Sequence, residues 1–348
     1  MRSVRELLDD MHRIRKLIMQ ELQFGSVIFV MTCLPLLSVC SVAGAERATP
    51  IATLRGHKGA VYCVAFAPDG RRLASASSDK TVVLWDVVDH KRVATLEDHT
   101  AKVNWVSFSP DGKTLATASD DETIRLWNAS TGKNTAVLRG ENEVFVNCVR
   151  FSHDSKFLVS IGLEPIIQIW DVASLKNTRS IEVDPERNHS IWSIAYSPDS
   201  KMLASGNQDR TIQIWDVESR KAVVTFNYVE IAESVAFSPK ENRLASAHRD
   251  ATVNIWDIRS GQKLATLKGH RDEVLCVTFR RDGNLLASGS SDKTVKVWDL
   301  RKGEAIATLL GHDNLVFSVA FSPDGQILAS ACKDGDVRLW KVNSDSPD

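Results

Sequence analysis

The chain has no run of lysine or arginine, and its 43 Lys and Arg against 44 Asp and Glu leave a net charge of −1. Nucleic-acid binding draws much of its affinity from neutralised phosphates, so this balance argues against a nucleic-acid partner. Cysteines are few, six in 348 residues, and their spacing fits neither a metal site nor a disulfide framework. No segment of the body carries the apolar spacing of a long amphipathic helix. Nucleotide and metal motifs are missing, so no cofactor is expected. What remains, 43% apolar and 25% charged residues, is ordinary globular chemistry with ample material for a large core.

Against these absences stands one regularity. Trp85, Trp127, Trp170, Trp215, Trp256, Trp298 and Trp340 follow one another at intervals of 42, 43, 45, 41, 42 and 42 residues, and five of them precede an Asp. A fixed period near 42 marks a repeat architecture, in which a unit cannot bury its apolar face alone and stacks on its neighbours. Within residues 57–96, alternating β-branched runs (Val61–Phe66, Arg72–Ser75, Thr81–Asp86 and Arg92–Leu96) are separated by Pro68-Asp69-Gly70, Ser78-Asp79-Lys80 and Asp89-His90-Lys91. Such runs and turns predict four antiparallel strands joined by tight hairpins. The expected fold is therefore all-β, a seven-bladed propeller of four-stranded blades.

The last repeat stops after its third strand, at Trp340-Lys341-Val342-Asn343. Pro50-Ile51-Ala52-Thr53-Leu54 reads like the fourth strands Val93-Ala94-Thr95-Leu96 and Ile306-Ala307-Thr308-Leu309. The N-terminal strand is expected to complete the seventh blade, closing the ring without open edges or capping repeats.

The Gly-His openings (Gly56-His57, Gly269-His270, Gly311-His312), the Phe-Ser-Pro-Asp-Gly turns (Phe108–Gly112, Phe321–Gly325) and the Trp-Asp ends resemble the WD-repeat family over residues 50–343. Four repeats align a complete polar set: His57, Ser75, Asp79 and Trp85; His99, Thr117, Asp121 and Trp127; His270, Ser288, Asp292 and Trp298; His312, Ser330, Asp334 and Trp340. Ser, His and Asp together invite a hydrolase reading. A nucleophile, however, must be exposed, unique and beside an oxyanion hole, whereas this set recurs four times. The resemblance implies a structural chain in which Asp orients His, His bonds the hydroxyl and the hydroxyl accepts from the indole. Repeats 3, 4 and 5 break the set: Glu141-Asn142 and Glu164 in repeat 3, a longer loop Glu182–Ser190 with His189 out of register in repeat 4, and Tyr228-Val229 for Gly-His in repeat 5. Either these blades have drifted, or they have given up the network for a binding edge.

Family resemblance places ligands on the face whose loops lead into each first strand. There the columns give one ring of Tyr62, Asn104, Asn147, Trp192, Glu233, Leu275 and Phe317. A second ring holds Ala60, Lys102, Phe145, Ser190, Ile231, Glu273 and Leu315. Tyr62, Phe145, Trp192 and Phe317 are the candidate partner-binding residues, since aromatic side chains anchor interfaces. The expected function is a monomeric, non-catalytic scaffold for a protein or peptide. An enzyme with a channel site would have to be built from Glu143, Glu233, Glu273 and His189, which the columns do not single out.

Residues 1–45 stand apart from the propeller of residues 46–348. Arg13, Arg15 and Lys16 precede an uncharged stretch from Leu22 to Ala45 that ends Ala43-Gly44-Ala45. This is the pattern of a secretory signal peptide, with Met11 or Met19 as alternative starts. The expectation is an exported protein cleaved near Ala45. An uncleaved membrane anchor is the alternative, with a lipid-modified Cys40 a poor fit after Val39, and a cytoplasmic protein comes last. Cys63, Cys148 and Cys276 share one slot on non-adjacent blades and Cys332 lies on a second strand, so all four are expected to be small buried residues.

Overall fold

The computed structural model describes residues 48–140, 145–183 and 189–343. They form seven four-stranded antiparallel sheets, and no helix occurs among them. The first strands are Val61–Phe66, Val103–Phe108, Val146–Phe151, Ile191–Tyr196, Ala232–Phe237, Val274–Phe279 and Val316–Phe321. Each packs beside the next, and the seventh returns to the first, so the blades close into a ring about a central channel. Seven apolar clusters hold the ring, most of them shared by two adjacent blades, as where Leu84 and Val82 meet Val103, Leu115 and Trp127.

Blade 7 is completed as expected. Ala48–Leu54 pairs antiparallel with Val337–Val342, with Pro50 opposite Trp340 and Leu54 opposite Val337. The register slips between Pro50 and Ala52, leaving Ile51 bulged. The same slip falls at Val93, Val223 and Leu264, each next to the residue that pairs with the blade's tryptophan. These bulged residues account for four of the exposed large apolar side chains, Ile51, Val93, Val223 and Leu264. Proline tolerates this position because a bulged edge strand needs fewer donors.

A second bulge matters more for function. In every blade the pairing of first and second strands skips one residue, and the skipped residues are Tyr62, Asn104, Asn147, Trp192, Glu233, Leu275 and Phe317. A bulge re-aims a side chain out of the pleat. The ring read from the sequence columns is thus a ring of bulges.

Ring closure rests on Leu54, which is 2% exposed among Val61, Val83, Trp85, Val337 and Leu339. Leu54→Ala is expected to cost about 2–5 kcal/mol in chemical denaturation. Leu310→Ala, at a 69% exposed site, should change stability by less than about 0.5 kcal/mol. Equal losses would mean that the strand does not dock.

Candidate functional site

In blade 1 Trp85 Nε1 donates to Ser75 Oγ at 2.8 Å, Ser75 Oγ donates to His57 Nε2 at 2.7 Å, and His57 Nδ1 donates to Asp79 Oδ2 at 3.0 Å. The carboxylate selects the imidazole tautomer, which leaves Nε2 as the acceptor. Blade 2 repeats the chain through Thr117 and blade 6 through Ser288. The hydroxyls of Ser75, Thr117 and Ser288 are fully buried and already bonded to the indole, so none of the three is an exposed nucleophile. Burial by itself would raise the Asp79 carboxyl. The bonds from His57, Thr81 and the Lys58 N–H outweigh it and hold the group well below the usual carboxylate range. Asp292, held in the same way, lies at about 2.

Blade 7 departs from the sequence reading at one link. His312 Nδ1 lies 3.6 Å from Asp334 Oδ2, too far for a hydrogen bond, while His312–Ser330–Trp340 stays intact. Two substitutions loosen Asp334. Cys332 takes the place of Ser77, so the Asp334 N–H is held by sulfur at 3.4 Å rather than by oxygen at 3.1 Å. Asp336 takes the place of Thr81, whose hydroxyl donates to Asp79 Oδ1 at 2.7 Å. That threonine column (Thr81, Thr123, Thr211, Thr252, Thr294) belongs to the network and was overlooked, although its regular place two residues beyond the Asp was visible.

The reading of blade 5 as broken is corrected. Tyr228 stands in the histidine's place and its hydroxyl donates to Asp250 at 2.9 Å. The imidazole comes instead from His248, two residues after Ser246 on the same strand, with its Nε2 2.7 Å from Ser246 Oγ and its ring 4.4 Å from that of Tyr228. The indole–hydroxyl–imidazole part is thus supplied from another slot, while the link from imidazole to carboxylate is absent, His248 Nδ1 having no partner among the described residues. Blades 3 and 4 keep the indole–hydroxyl bonds Trp170–Ser160 and Trp215–Ser205.

On the rim the four aromatic candidates part company. Tyr62 and Phe317 are half-buried and pack on each other, their ring centroids 5.3 Å apart. Phe145 is exposed on its own segment, and Trp192 is the one residue of the bulge ring that is exposed, at 41%. The Arg249 guanidinium lies 5.5 Å from the Trp192 ring and is ion-paired with Glu233. Burial pushes the Glu233 carboxyl up, against the pull of Arg249. Asn104 bonds Asp120 and the Val146 carbonyl, tying blade 2 to blade 3. Arg249 was missed because its column carries no common residue type. Of the enzyme candidates, Glu233 is taken by Arg249 and Glu143 lies outside the described residues, as do residues 1–47. Cys63, Cys148, Cys276 and Cys332 are free and buried.

The seven sheets and the recurring indole–hydroxyl–imidazole–carboxylate chain define a WD-repeat propeller. More narrowly, residues 38–230 and 231–347 match the family described as IFT122 first beta-propeller, and the chain belongs to that family. Similar proteins include the Intraflagellar transport protein 122 homolog of Xenopus tropicalis, 60% identical over 37 residues, which are 11% of this chain and 3% of that protein. The Notchless protein homolog of Arabidopsis thaliana is 60% identical over 35 residues, 10% of this chain and 7% of that protein. The Vegetative incompatibility protein HET-E-1 of Podospora anserina is 48% identical over 50 residues, 14% and 4% respectively. The chain thus spans a few per cent of the length of these relatives, about one repeat.

The His248 site yields a pH dependence. Burial pushes this imidazole down to about 4 from an ordinary 6.5, against the pull of Asp250. A lowered pKa means that the folded state refuses the proton. The penalty is absent above pH 6.5 and grows as the pH falls towards 4, reaching on the order of 3 kcal/mol. Urea denaturation of His248→Gln should show a flatter decline between pH 6.5 and 4 than the unmodified protein. His312, also at about 4, will keep its own share. Parallel declines would mean that His248 takes up its proton in the folded state.

Proposed function

We propose that the chain is a rigid, non-catalytic disc that takes a protein or peptide on its rim face, with Trp192 as the anchor. The observation that carries this reading is that Trp192, exposed where its six ring equivalents are half-buried, is already braced by Arg249, which Glu233 fixes in turn. Tryptophan and arginine dominate the energetics of interfaces. An anchor held in place before binding loses less entropy on association. The relatives' names range from intraflagellar transport to vegetative incompatibility, so only the interaction role is taken from them, and the partner's identity is left to experiment. The disc is proposed to act as a monomer.

Capture of partners from extract should be run with the unmodified protein, Trp192→Ala and, as an outer-edge control, Val88→Ala. The expected outcome is a protein kept by the control and weakened by at least ~2 kcal/mol in Trp192→Ala, with melting temperatures within about 2 °C of one another. A drop in melting temperature would make Trp192 core, and equal capture would move the site off the rim.

The uncharged stretch from Leu22 to Ala45 favours export with cleavage after Ala45, and an uncleaved anchor would make the disc a membrane-tethered assembly factor outside the cytoplasm. Sequencing the N-terminus of the protein recovered from soluble and membrane fractions separates these. Glu46 is the expected first residue, and a start at Met1, Met11 or Met19 in the soluble fraction would overturn export.

A further inference from the structure

Seven repeats align with one another, so each channel position carries six internal controls. Three residues beyond the bulge, that position reads Ala65, Ser107, Arg150, Ala195, Ala236, Thr278 and Ala320. All seven line a cavity of about 430 Å³ that is bordered by the turn residues Pro110 and Pro323, at the end of the channel away from the rim. Six side chains are small and one is a half-buried arginine.

One residue beyond the bulge, the column holds three Cys, three Ser and Trp105. The small members stitch neighbouring blades together. Ser318, Ser193 and Ser234 accept from the backbone N–H groups of Val64, Val235 and Val277, and Cys63 and Cys276 donate to the carbonyls of Val106 and Val316. An indole has no such geometry. Trp105 instead packs against the apolar clusters of blades 1–2, 2–3 and 3–4 and lines the same cavity. The Arg150 guanidinium stacks over it, 4.6 Å from the ring centroid.

Two departures from the repeat on adjacent blades therefore meet, and their chemistry is incomplete. Among the described residues Arg150 has no carboxylate partner, and both Arg150 Nε and Trp105 Nε1 are buried without an acceptor. The thiols nearby, Cys63 and Cys148, stay neutral because burial pushes both up, Cys148 to about 12. The turn carboxylates Asp154 and Asp199 are held by Ser152 and Ser197. A half-buried guanidinium with no carboxylate beside it among the described residues can take an anionic ligand through charge-assisted hydrogen bonds. The remaining wall is mixed, with Phe66, Phe108, Val235 and Val319 giving apolar surface beside the polar Ser107, His153, Tyr196, Thr278 and Ser318. The volume suits a small ligand or a peptide end.

We infer that this cavity binds a carboxylate carried on an apolar body, which the planar fork of Arg150 takes bidentately against the Trp105 ring. The same chemistry is presented by a free apolar acid and by the C-terminus of an apolar peptide. The site lies apart from the rim and stands or falls independently of the Trp192 reading.

The test is isothermal titration of the full chain with octanoate, with acetyl-Ala-Ala-Leu-Phe as the free acid, and with the same peptide as its C-terminal amide. Each probe is also titrated into Arg150→Gln and into Ala236→Phe, which fills the cavity from blade 5 and leaves the arginine in place. At least one acid should bind with a Kd below about 1 mM. Amidation and either substitution should weaken it by roughly tenfold or more, with the melting temperature preserved in at least one of the two variants. Octanoate binding would point to a free acid, and binding of the peptide acid alone to a chain terminus. If neither acid binds, or if binding is indifferent to amidation or to both substitutions, the inference fails.

Discussion

Every blade is built on the bond between a tryptophan indole and a hydroxyl ten residues earlier. It is present seven times, at 2.7–3.0 Å, from Trp85–Ser75 to Trp340–Ser330. The seven tryptophans are 1–4% exposed, so each carries a large apolar area together with one N–H that must find an acceptor or lose most of the gain. The hydroxyl on the second strand and the indole on the third can meet only if Leu73 pairs with Trp85 and Ser75 with Val83, which is the observed register. One polar contact thus selects the pairing that also puts every apolar side chain on the correct face. The histidine, aspartate and threonine columns elaborate this bond and are not shared by all seven blades.

The elaborations vary where the molecule differs from its own repeat. In blade 5 the imidazole has moved to His248, and Tyr228 takes over the contact with the aspartate. The residue after His248 is Arg249, which stacks on Trp192 of blade 4. With His248 fully buried and tied to Ser246, the chain leaves the second strand of blade 5 from a fixed point, and the guanidinium is delivered to the neighbouring blade. A blade that looks degenerate by its columns is therefore the blade that braces the exposed rim tryptophan.

The ring, its seven blades, its closing strand and most of its polar network were legible because they are repeated: a column of seven identities separates constraint from accident. The rim was legible as a list but not as a geometry. Residues 62, 104, 147, 192, 233, 275 and 317 reach the channel mouth because the strand pairing skips them, and a skip is a property of two strands, not of a run of letters. The stacking of Arg249 on Trp192 joins residues 57 positions apart on different blades, where neither column signals the other. The broken appearance of blade 5 misled for a related reason, since compensation from a different slot leaves the original slot empty. Trp105 and Arg150 are odd members of small-residue columns that the sequence reading passed over, and only the cavity relates them to each other.

Departures from the repeat fall mainly on one side of the ring: Trp105, Arg150, Trp192, Tyr228, His248 and Arg249 all lie on blades 2 to 5. In a repeat protein, stability is close to a sum of units and nearest-neighbour contacts, so the consequences of altering a unit stay local. The seam of this ring is blade 7, where an N-terminal strand rather than a covalent connection closes the sheet. A ring that opens does so at its seam, and the blades beside it bear the strain. Blades 6 and 1 carry the full chain from indole to carboxylate, and blade 7 carries all of it but one link. Keeping regular blades around the seam leaves the far arc free to vary its loops and channel wall without loosening the closure. Both the braced tryptophan on the rim and the channel arginine, which has no carboxylate partner among the described residues, are found on that arc.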